Sequence, residues 1–356
     1  MPRVAGVDPG TVSFDLCVLQ DGEPVLEQTF ETRSISHDSA PLVDALRRHG
    51  PYALVYGPSG YGLPLVAAAD VGERALAEMV LVRSDEARAE AGIGGMRSLL
   101  RALAHSGLPV VFGPGVIHLP TVPAHRKYNR IDLGTADKVC AAACAIVDQA
   151  TRRGVGPGET ALILLELGGA FTAALAIDHG RIVDGTGGTS GPIGIRAAGA
   201  LDGELAYLLG PELRKNTLYT GGALDPTGEL AGADLHALWT SSDLAEGWTA
   251  LLEAAVKAVR ALLVSVPAPH EIILSGRLTR LPELVAALSC ALGDIAPVTA
   301  LRAGRASTAA HGGALLADAL AGGPHAVLAE VMKLREASGS ALEYVRVAGA
   351  ETISLG

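Results

Sequence analysis

Aromatic residues make up only 4% of this 356-residue chain, which leaves little for stacking successive nucleobases. Positive charge is also sparse. Lys and Arg number 28 against 38 acidic residues, the net charge is −10, and no Lys/Arg stripe runs along any segment. Nucleic acid and anionic membrane are therefore not expected as partners. The four cysteines, Cys17, Cys140, Cys144 and Cys290, include no C-x-x-C and no paired metal spacing, which argues against zinc, iron–sulfur and disulfide frameworks. Cys140 and Cys144 share one helical face and read as core packing. The chain is 49% hydrophobic with a mean hydropathy of +0.33, yet no apolar run is long enough to span a bilayer. The longest are broken by Glu166 and Gly168-Gly169, or by Lys257 and Arg260. The first strand begins at Arg3 and leaves no room for a leader, so cytoplasmic residence is expected.

What the chain does contain is the same pattern written twice. Val4–Val25 and Leu162–Val183 each read as a buried strand, an acidic residue, a Gly-containing turn, a second apolar strand and a Gly-bearing hairpin. Asp8 corresponds to Glu166, Gly10 to Gly168, Gly22 to Gly180 and Val25 to Val183, all at one offset of 158 residues and without a gap. The spacing implies a duplicated domain, with residues 1–155 and 156–356 as the two copies and Thr151–Thr160 as the crossing. Glycine in such a turn lets the backbone approach an anion closely. A carboxylate at the strand's end can hold Mg²⁺, which prefers hard oxygen ligands. A single Asp-Pro-Gly-Thr is also an ordinary turn; the repeat is what points to chemistry.

Along the first half, strands are expected near Arg3–Val7, Ser13–Leu19 and Pro24–Thr32, then a helix at Ala40–Arg48 and a strand at Ala53–Tyr56. That strand runs into Gly57–Gly62, either a ligand loop at a strand's carboxyl end or a tight connection. Ser84-Asp85-Glu86 reads as a cap for helices running towards His105, and Leu108–Phe112 as a buried strand. The polar stretch Arg126–Asp132 precedes Gly134-Thr135, which opens a long amphipathic helix with Asp137 and Lys138 in its first turn. It is either a substrate-facing loop at a helix N-terminus or a solvated loop before an N-cap. The second half repeats the three strands and then enters Asp184–Gly194, rich in Gly, Thr and Ser, which suits a phosphate cradle or a loose excursion. Helices are expected at Leu230–Trp239, Asp243–Leu263 and Leu281–Leu292, and strands at Glu271–Leu274, Val298–Leu301 and Leu342–Val347. The small residues Thr308–Ala314 open a helix that would permit close ligand approach, and His311 is either a nucleotide contact or a packed residue.

Three segments then stand in a telling order: D-P-G-T after the first strand, E-L-G-G at Glu166–Gly169, and I-I-L-S-G-R ending at Arg277. They resemble the phosphate-1, phosphate-2 and adenosine motifs of the superfamily of actin, sugar and acetate kinases and heat-shock chaperone ATPases. Arg181–Asp184, Gly191-Pro192, Arg126-Lys127 and Ile295–Val298 are similar to segments of the butyrate kinase branch. The chain looks closest to an uncharacterised family described as predicted butyrate kinases. The resemblance implies an α/β, duplicated ribonuclease H-like (actin-like ATPase) fold, two domains enclosing an interdomain nucleotide cleft, with ATP and Mg²⁺ as cofactors.

The departures fall on working residues. Butyrate kinases carry N-P-G-S-T where this chain has Asp8–Thr11, and H-x-G-G-G where it has Glu166–Ala170. A phosphate-facing Arg falls on Pro58, a segment containing His has no counterpart between Arg126 and Lys138, and a metal-side Glu falls on Ala306. Arg196 lies within one position of a family Arg. Cationic or neutral groups are exchanged for carboxylates, which suits a sugar-kinase or ATPase arrangement better than acyl-phosphate formation, whose anionic transition state needs positive charge.

The expectation is an ATP- and Mg²⁺-dependent kinase of a small-molecule acceptor carrying a carboxylate or hydroxyl; a homodimer is compatible with the chain. Asp8 and Glu166 would organise metal and attacking group, with Asp132 and Arg196 joining the catalytic set. Gly10, Thr11, Gly168, Gly169, Gly187 and Gly188 would hold phosphates, and Ser275, Gly276 and Arg277 would line the adenosine side. Ser59, Tyr61, Arg126, Asn129, Lys138, Thr189 and Ser190 would contact the acceptor. The rival from another class is an ATP-hydrolysing switch or activator, in which domain closure is the output.

Overall fold

The computed structural model describes residues 2–10, 13–32, 35, 38–86, 94–227, 230, 233–301 and 306–356. Eleven strands form two sheets among these residues. In chain order they are β1 (Arg3–Pro9), β2 (Ser13–Gln20), β3 (Glu23–Glu31), β4 (Leu54–Gly57), β5 (Val66–Ala67), β6 (Val110–Phe112), β7 (Ala161–Leu167), β8 (Thr172–Asp178), β9 (Arg181–Thr186), β10 (Glu271–Ser275) and β11 (Val298–Ala300). The first sheet has the order β3-β2-β1-β4-β6-β5 and the second β11-β10-β7-β8-β9. Read from opposite ends, both place an antiparallel three-strand meander beside two parallel strands.

The repeat is reproduced down to its irregularities. Asp8 pairs across the sheet with Asp15, and Glu166 with Ala173. The β2–β3 ladder slips between Val18 and Leu19, the β8–β9 ladder between Ala176 and Ile177. These are the same positions at the 158-residue offset. The hairpin tips also match, with positive φ at Asp21-Gly22 and at His179-Gly180, as a tight two-residue hairpin requires.

Alternation along the strands aims the two acids. In β1, Val4 faces a central core while Ala5 and Val7 face an outer one; in β7, Leu162 and Leu164 face the central core while Ile163, Leu165 and Leu167 face outwards. Side chains two apart share a face, so Asp8 and Glu166 both project from the inner faces. Burial on both faces is why these strands read as continuous apolar runs.

Two helices fill the layer between the sheets, Ala136–Arg153 and Thr308–Leu320. The second packs on β1 although it comes from the far end of the chain: a Cβ on Gly6 would lie 2.2 Å from the Ala310 carbonyl oxygen, and one on Gly312 would lie 1.8 Å from that of Cys140. The small residues of 308–314 thus allow helix–sheet and helix–helix approach, rather than the ligand approach expected for most of that stretch; of this helix's residues only Ala309 borders the cavity described below. His311 is partly buried near Glu23, Glu27 and His325, and its pKa is lowered by desolvation.

Other differences have local causes. The expected strand at Leu342–Val347 is a series of turns, because its backbone caps a neighbouring loop: the Tyr344 carbonyl accepts Asn129 N–H at 2.9 Å. A helix at Glu73–Val80 was not anticipated. The helix expected from residue 230 runs over Leu235–Thr240, capped by the Asp234 carboxylate. Residues 87–93 of the helices expected after Glu86 lie outside the described residues; Gly94–Ala104 is helical.

Candidate active site

Where the two sheets' strand ends meet, a cavity of about 500 Å³ opens. Its walls include Asp8, Pro9 and Gly10 from the first turn, Glu166, Gly168 and Gly169 from the second, Gly57–Tyr61 after β4, and Asp132 and Thr135–Lys138 at the start of the inner helix. The two repeats therefore face one space.

Four charged groups meet on its floor. Lys138 Nζ lies 2.6 Å from Asp137 Oδ2 and 2.8 Å from Glu166 Oε2. Ser307, the N-cap of the second inner helix, donates to Asp8 Oδ2 at 2.6 Å. Burial pushes the Asp8 carboxyl up to about 7, helped by the negative charge of Asp137 and opposed by Ser307 and Lys138. Burial also raises Glu166, against the pull of Lys138. Lys138 is held charged: burial works against the ammonium, but Asp137 and Glu166 outweigh it and its pKa rises. Asp137 likewise stays ionised, because Lys138 and the Thr135 hydroxyl overcome its burial. A lysine in a helix's first turn opposes the helix dipole; its compensation comes from Asp137 and Glu166.

Asp132 has a different task. Its Oδ2 accepts from the backbone N–H and hydroxyl of Thr189 at 2.9 and 2.8 Å, and its Oδ1 from Gly134 N–H at 3.2 Å. Ser190 Oγ donates to its carbonyl, as does Gly187 N–H. A Cβ on Gly187 would lie 1.6 Å from Asp132 Oδ1, so only glycine lets the loop sit there. Asp132 thus fastens the 187–190 loop of one half to the other, with its carboxylate fully engaged. Gly188 and Thr189 border the cavity; Gly187 and Ser190 stand behind them.

The glycine turns are tight for reasons internal to the hairpins. A Cβ on Gly10 would lie 2.7 Å from the Ser13 carbonyl oxygen and one on Gly168 2.9 Å from that of Phe171, again at the common offset. Gly168 N–H closes its hairpin on Phe171 O at 2.9 Å and so is not free for a phosphate. Thr11 lies outside the described residues.

Other expected site residues divide. Ser59 borders the cavity but its hydroxyl donates to Gly113 O at 3.0 Å. Tyr61 borders it, and Lys215 Nζ donates to its hydroxyl at 3.1 Å. Arg196 borders it with Nε 3.5 Å from Asp225 Oδ2, a carboxylate only 1% exposed. Ser275 sits beside Glu166 in the β10–β7 register with its buried hydroxyl unpartnered, and Gly276 (φ +90°) packs on Leu167 O. Arg277 belongs to a separate surface pocket, where it donates to Ala233 O at 3.0 Å. Arg126 and Asn129 are not on the cavity wall. Arg126 donates to Val183 O at 2.7 Å, and Asn129, exposed and at φ +55°, accepts Arg346 N–H. Asp137, Ser307, Lys215, Phe171 and Tyr219 were not anticipated as site residues; only the position of Asp137 beside Lys138 gave any hint.

The donor set fits a cation that arrives with phosphates. Asp8 offers an under-neutralised carboxylate, whereas Glu166 is already met by Lys138, and among the described residues no three His, Cys or acidic side chains are placed to hold a metal ion by themselves. Mg²⁺ is commonly held by one or two carboxylates plus substrate phosphates, not by an all-protein cage. Asp8 fits this use better than Glu166.

The model of a family described as "Protein of unknown function (DUF1464)" matches residues 6–347. The chain belongs to this family. No curated protein matches it in sequence. Its fold is similar to a propionate kinase from Francisella tularensis (TM-score 0.63, 12% identity, 88% of this chain and 99% of that one). An acetate kinase from Entamoeba histolytica is also similar (0.55, 13%, 82% and 87%), as is one from Porphyromonas gingivalis (0.53, 13%, 83% and 88%). At such identities the likeness establishes the fold alone: a duplicated actin-like ATPase fold of the acetate and propionate kinase type. None of the described helices is long and apolar enough to cross a membrane.

Proposed function

We propose that this protein is a Mg·ATP-dependent phosphotransferase acting on a small molecule, with a butyrate kinase-like chassis and an altered transfer centre. The observation that carries it is the convergence of both acid–glycine turns, Asp8 to Gly10 and Glu166 to Gly169, on one cavity, with Lys138 paired to Glu166. Residues 1–155 and 156–356 would be the two halves that close on the nucleotide. Asp8, steadied by Ser307, would hold the cation, which when bound neutralises phosphate charge. Lys138, oriented by Asp137 and Glu166, would face the transferred phosphoryl group, where a buried cation acts on developing negative charge. Glu166, raised by burial, would orient the attacking group and take its proton. Arg196, backed by Asp225, would come over the phosphates on closure and exclude water.

A carboxyl-rich floor favours a hydroxyl acceptor over a simple fatty acid. Pro58 stands where the similar family places a phosphate-facing arginine. Loss of such a donor is worth about 2.7–4 kcal/mol. Butyrate and acetate are therefore expected to be poor acceptors, with little acyl hydroxamate formed. The deciding experiment incubates the protein with metabolite pools and γ-labelled ATP. Label moving to a small molecule supports the kinase; label moving only to water would favour the ATP-driven switch, and retention on ATP would contradict both.

A further inference from the structure

Besides its carboxyl-rich floor, the cavity has an end of different chemistry. Tyr61, Phe171, Tyr219 and Asn216 border it in a chain with few aromatics, and Phe171 and Tyr219 meet edge to face at 5.2 Å. Lys215 does not border the cavity itself but contacts Tyr61, which does. Its ammonium lies 4.5 Å from the centre of the Tyr61 ring and donates to the Tyr61 hydroxyl at 3.1 Å. The fold holds it there by its own backbone, whose N–H donates to Glu86 Oε2 at 2.8 Å.

Three cations in or beside the cavity, Lys138, Arg196 and Lys215, differ in what they already hold. Lys138 has two carboxylates and Arg196 has Asp225. Lys215 makes no ion pair among the described residues, only the phenol contact; Asp132 and Glu86 act on it from a distance, and burial lowers its pKa to about 8. A partly buried ammonium without a counter-ion is unfavourable, and an aromatic face compensates it only in part. An incoming anion would complete it, with ring faces either side for the attached carbon body.

Resting on the kinase reading above, we propose that Lys215 recognises an anionic group on the acceptor, so that the substrate class is small hydroxy acids: the hydroxyl turned to Glu166, the carboxylate to Lys215. The polarity of the cavity sets this order. A carboxylate at the floor would meet Asp8, Asp137 and Glu166, whereas at the aromatic end the nearby carboxylates, Asp132 and Glu86, already hold other donors and Lys215 makes no ion pair among the described residues. Phosphoryl transfer then breaks the terminal P–O bond of ATP and forms one to the acceptor hydroxyl oxygen, whose proton passes to Glu166; ADP and the phosphorylated acid leave.

The test compares matched probes by calorimetry on the full chain: glycerate against glycerol, and 3-hydroxybutyrate against butane-1,3-diol. Wild type is expected to bind at least one acid at least tenfold more tightly than its neutral counterpart. Lys215→Met is expected to erase that preference, Lys215→Arg to keep part of it, and Lys257→Met, which alters an exposed outer ion pair, to leave it unchanged. Should the methionine variant fail to fold, Lys215→Gln gives the same reading. Equal or absent binding of acid and neutral probe in wild type, or a preference that survives loss of Lys215, overturns the assignment. A separate Mg·ATP titration distinguishes the two ideas: acid preference without nucleotide binding removes the kinase reading and leaves the anion site.

Discussion

The Asp8 turn and the Glu166 turn are one backbone used twice with two electrostatic outcomes. Strand register, bulge position, hairpin tip and the glycine pressed against a carbonyl three residues on are shared. The partners are not: Asp8 meets a serine hydroxyl and the negative field of Asp137, whereas Glu166 meets an ammonium at 2.8 Å. Duplication thus supplied the geometry, and residues from the inner helices supplied the difference, leaving one carboxylate short of positive charge and the other supplied with it. That division is what allows one to serve a cation and the other a nucleophile.

The largest effect is expected from removing the cation paired to Glu166. Lys138→Met leaves the partly buried Asp137 and Glu166 without their counter-ion. Breaking a buried pair from one side costs about 3–5 kcal/mol, and turnover is expected to fall about 10²–10³-fold. Denaturant unfolding and steady-state kinetics check the two parts, and a variant with wild-type stability and rate would remove Lys138 from the account.

Next comes the pH response of the Asp8 half without nucleotide. Its carboxyl lies at about 7 in the folded state against 3.8 unfolded. The folded form therefore binds the proton more tightly, so this contribution to stability is full below pH 4 and lost as pH rises through 7. On the order of 4 kcal/mol is at stake at most. Asp8→Asn should be more stable than wild type at pH 8 and lose that advantage near pH 4. Parallel pH profiles of the two proteins would contradict the buried, under-neutralised acid.

A matched pair sharpens the shared half of the comparison. Gly10→Ala and Gly168→Ala each force a Cβ under 3 Å from a carbonyl oxygen, and each should cost about 1–3 kcal/mol, with Gly10→Ala the larger. Thermal unfolding of the two variants is the measurement, and a neutral result in either breaks the equivalence of the turns.

The repeat was readable because it needed only identity of pattern at one offset, and alternation then aimed both acids inwards. The partners were not readable. Nothing local ties Ser307 to Asp8 across almost the whole chain, and Lys215 sits in a short non-periodic turn whose aromatic partner, Tyr61, comes from a loop far away in sequence. Asp132 was legible as a site residue but not as a clamp, because its carboxylate is committed to Thr189 only once the halves meet. Arg126 and Asn129 looked functional as part of a polar run, yet such a run can serve docking equally well. Here it fastens β9 and the C-terminal segment.

The smallest effect follows from that last point. Arg126→Ala and Asn129→Ala, changed away from the cavity wall, should alter Mg·ATP affinity by no more than about 0.5 kcal/mol, roughly twofold in a titration.

The central claim is that the two turns share one nucleotide and divide its handling. Calorimetry of ATP with and without Mg²⁺ on wild type, Asp8→Asn and Glu166→Gln tests it most directly. The account predicts Mg²⁺-dependent binding in wild type, loss of that dependence in Asp8→Asn, and its retention in Glu166→Gln despite lost turnover. Absence of binding in wild type, or an identical response of the two variants, would contradict it.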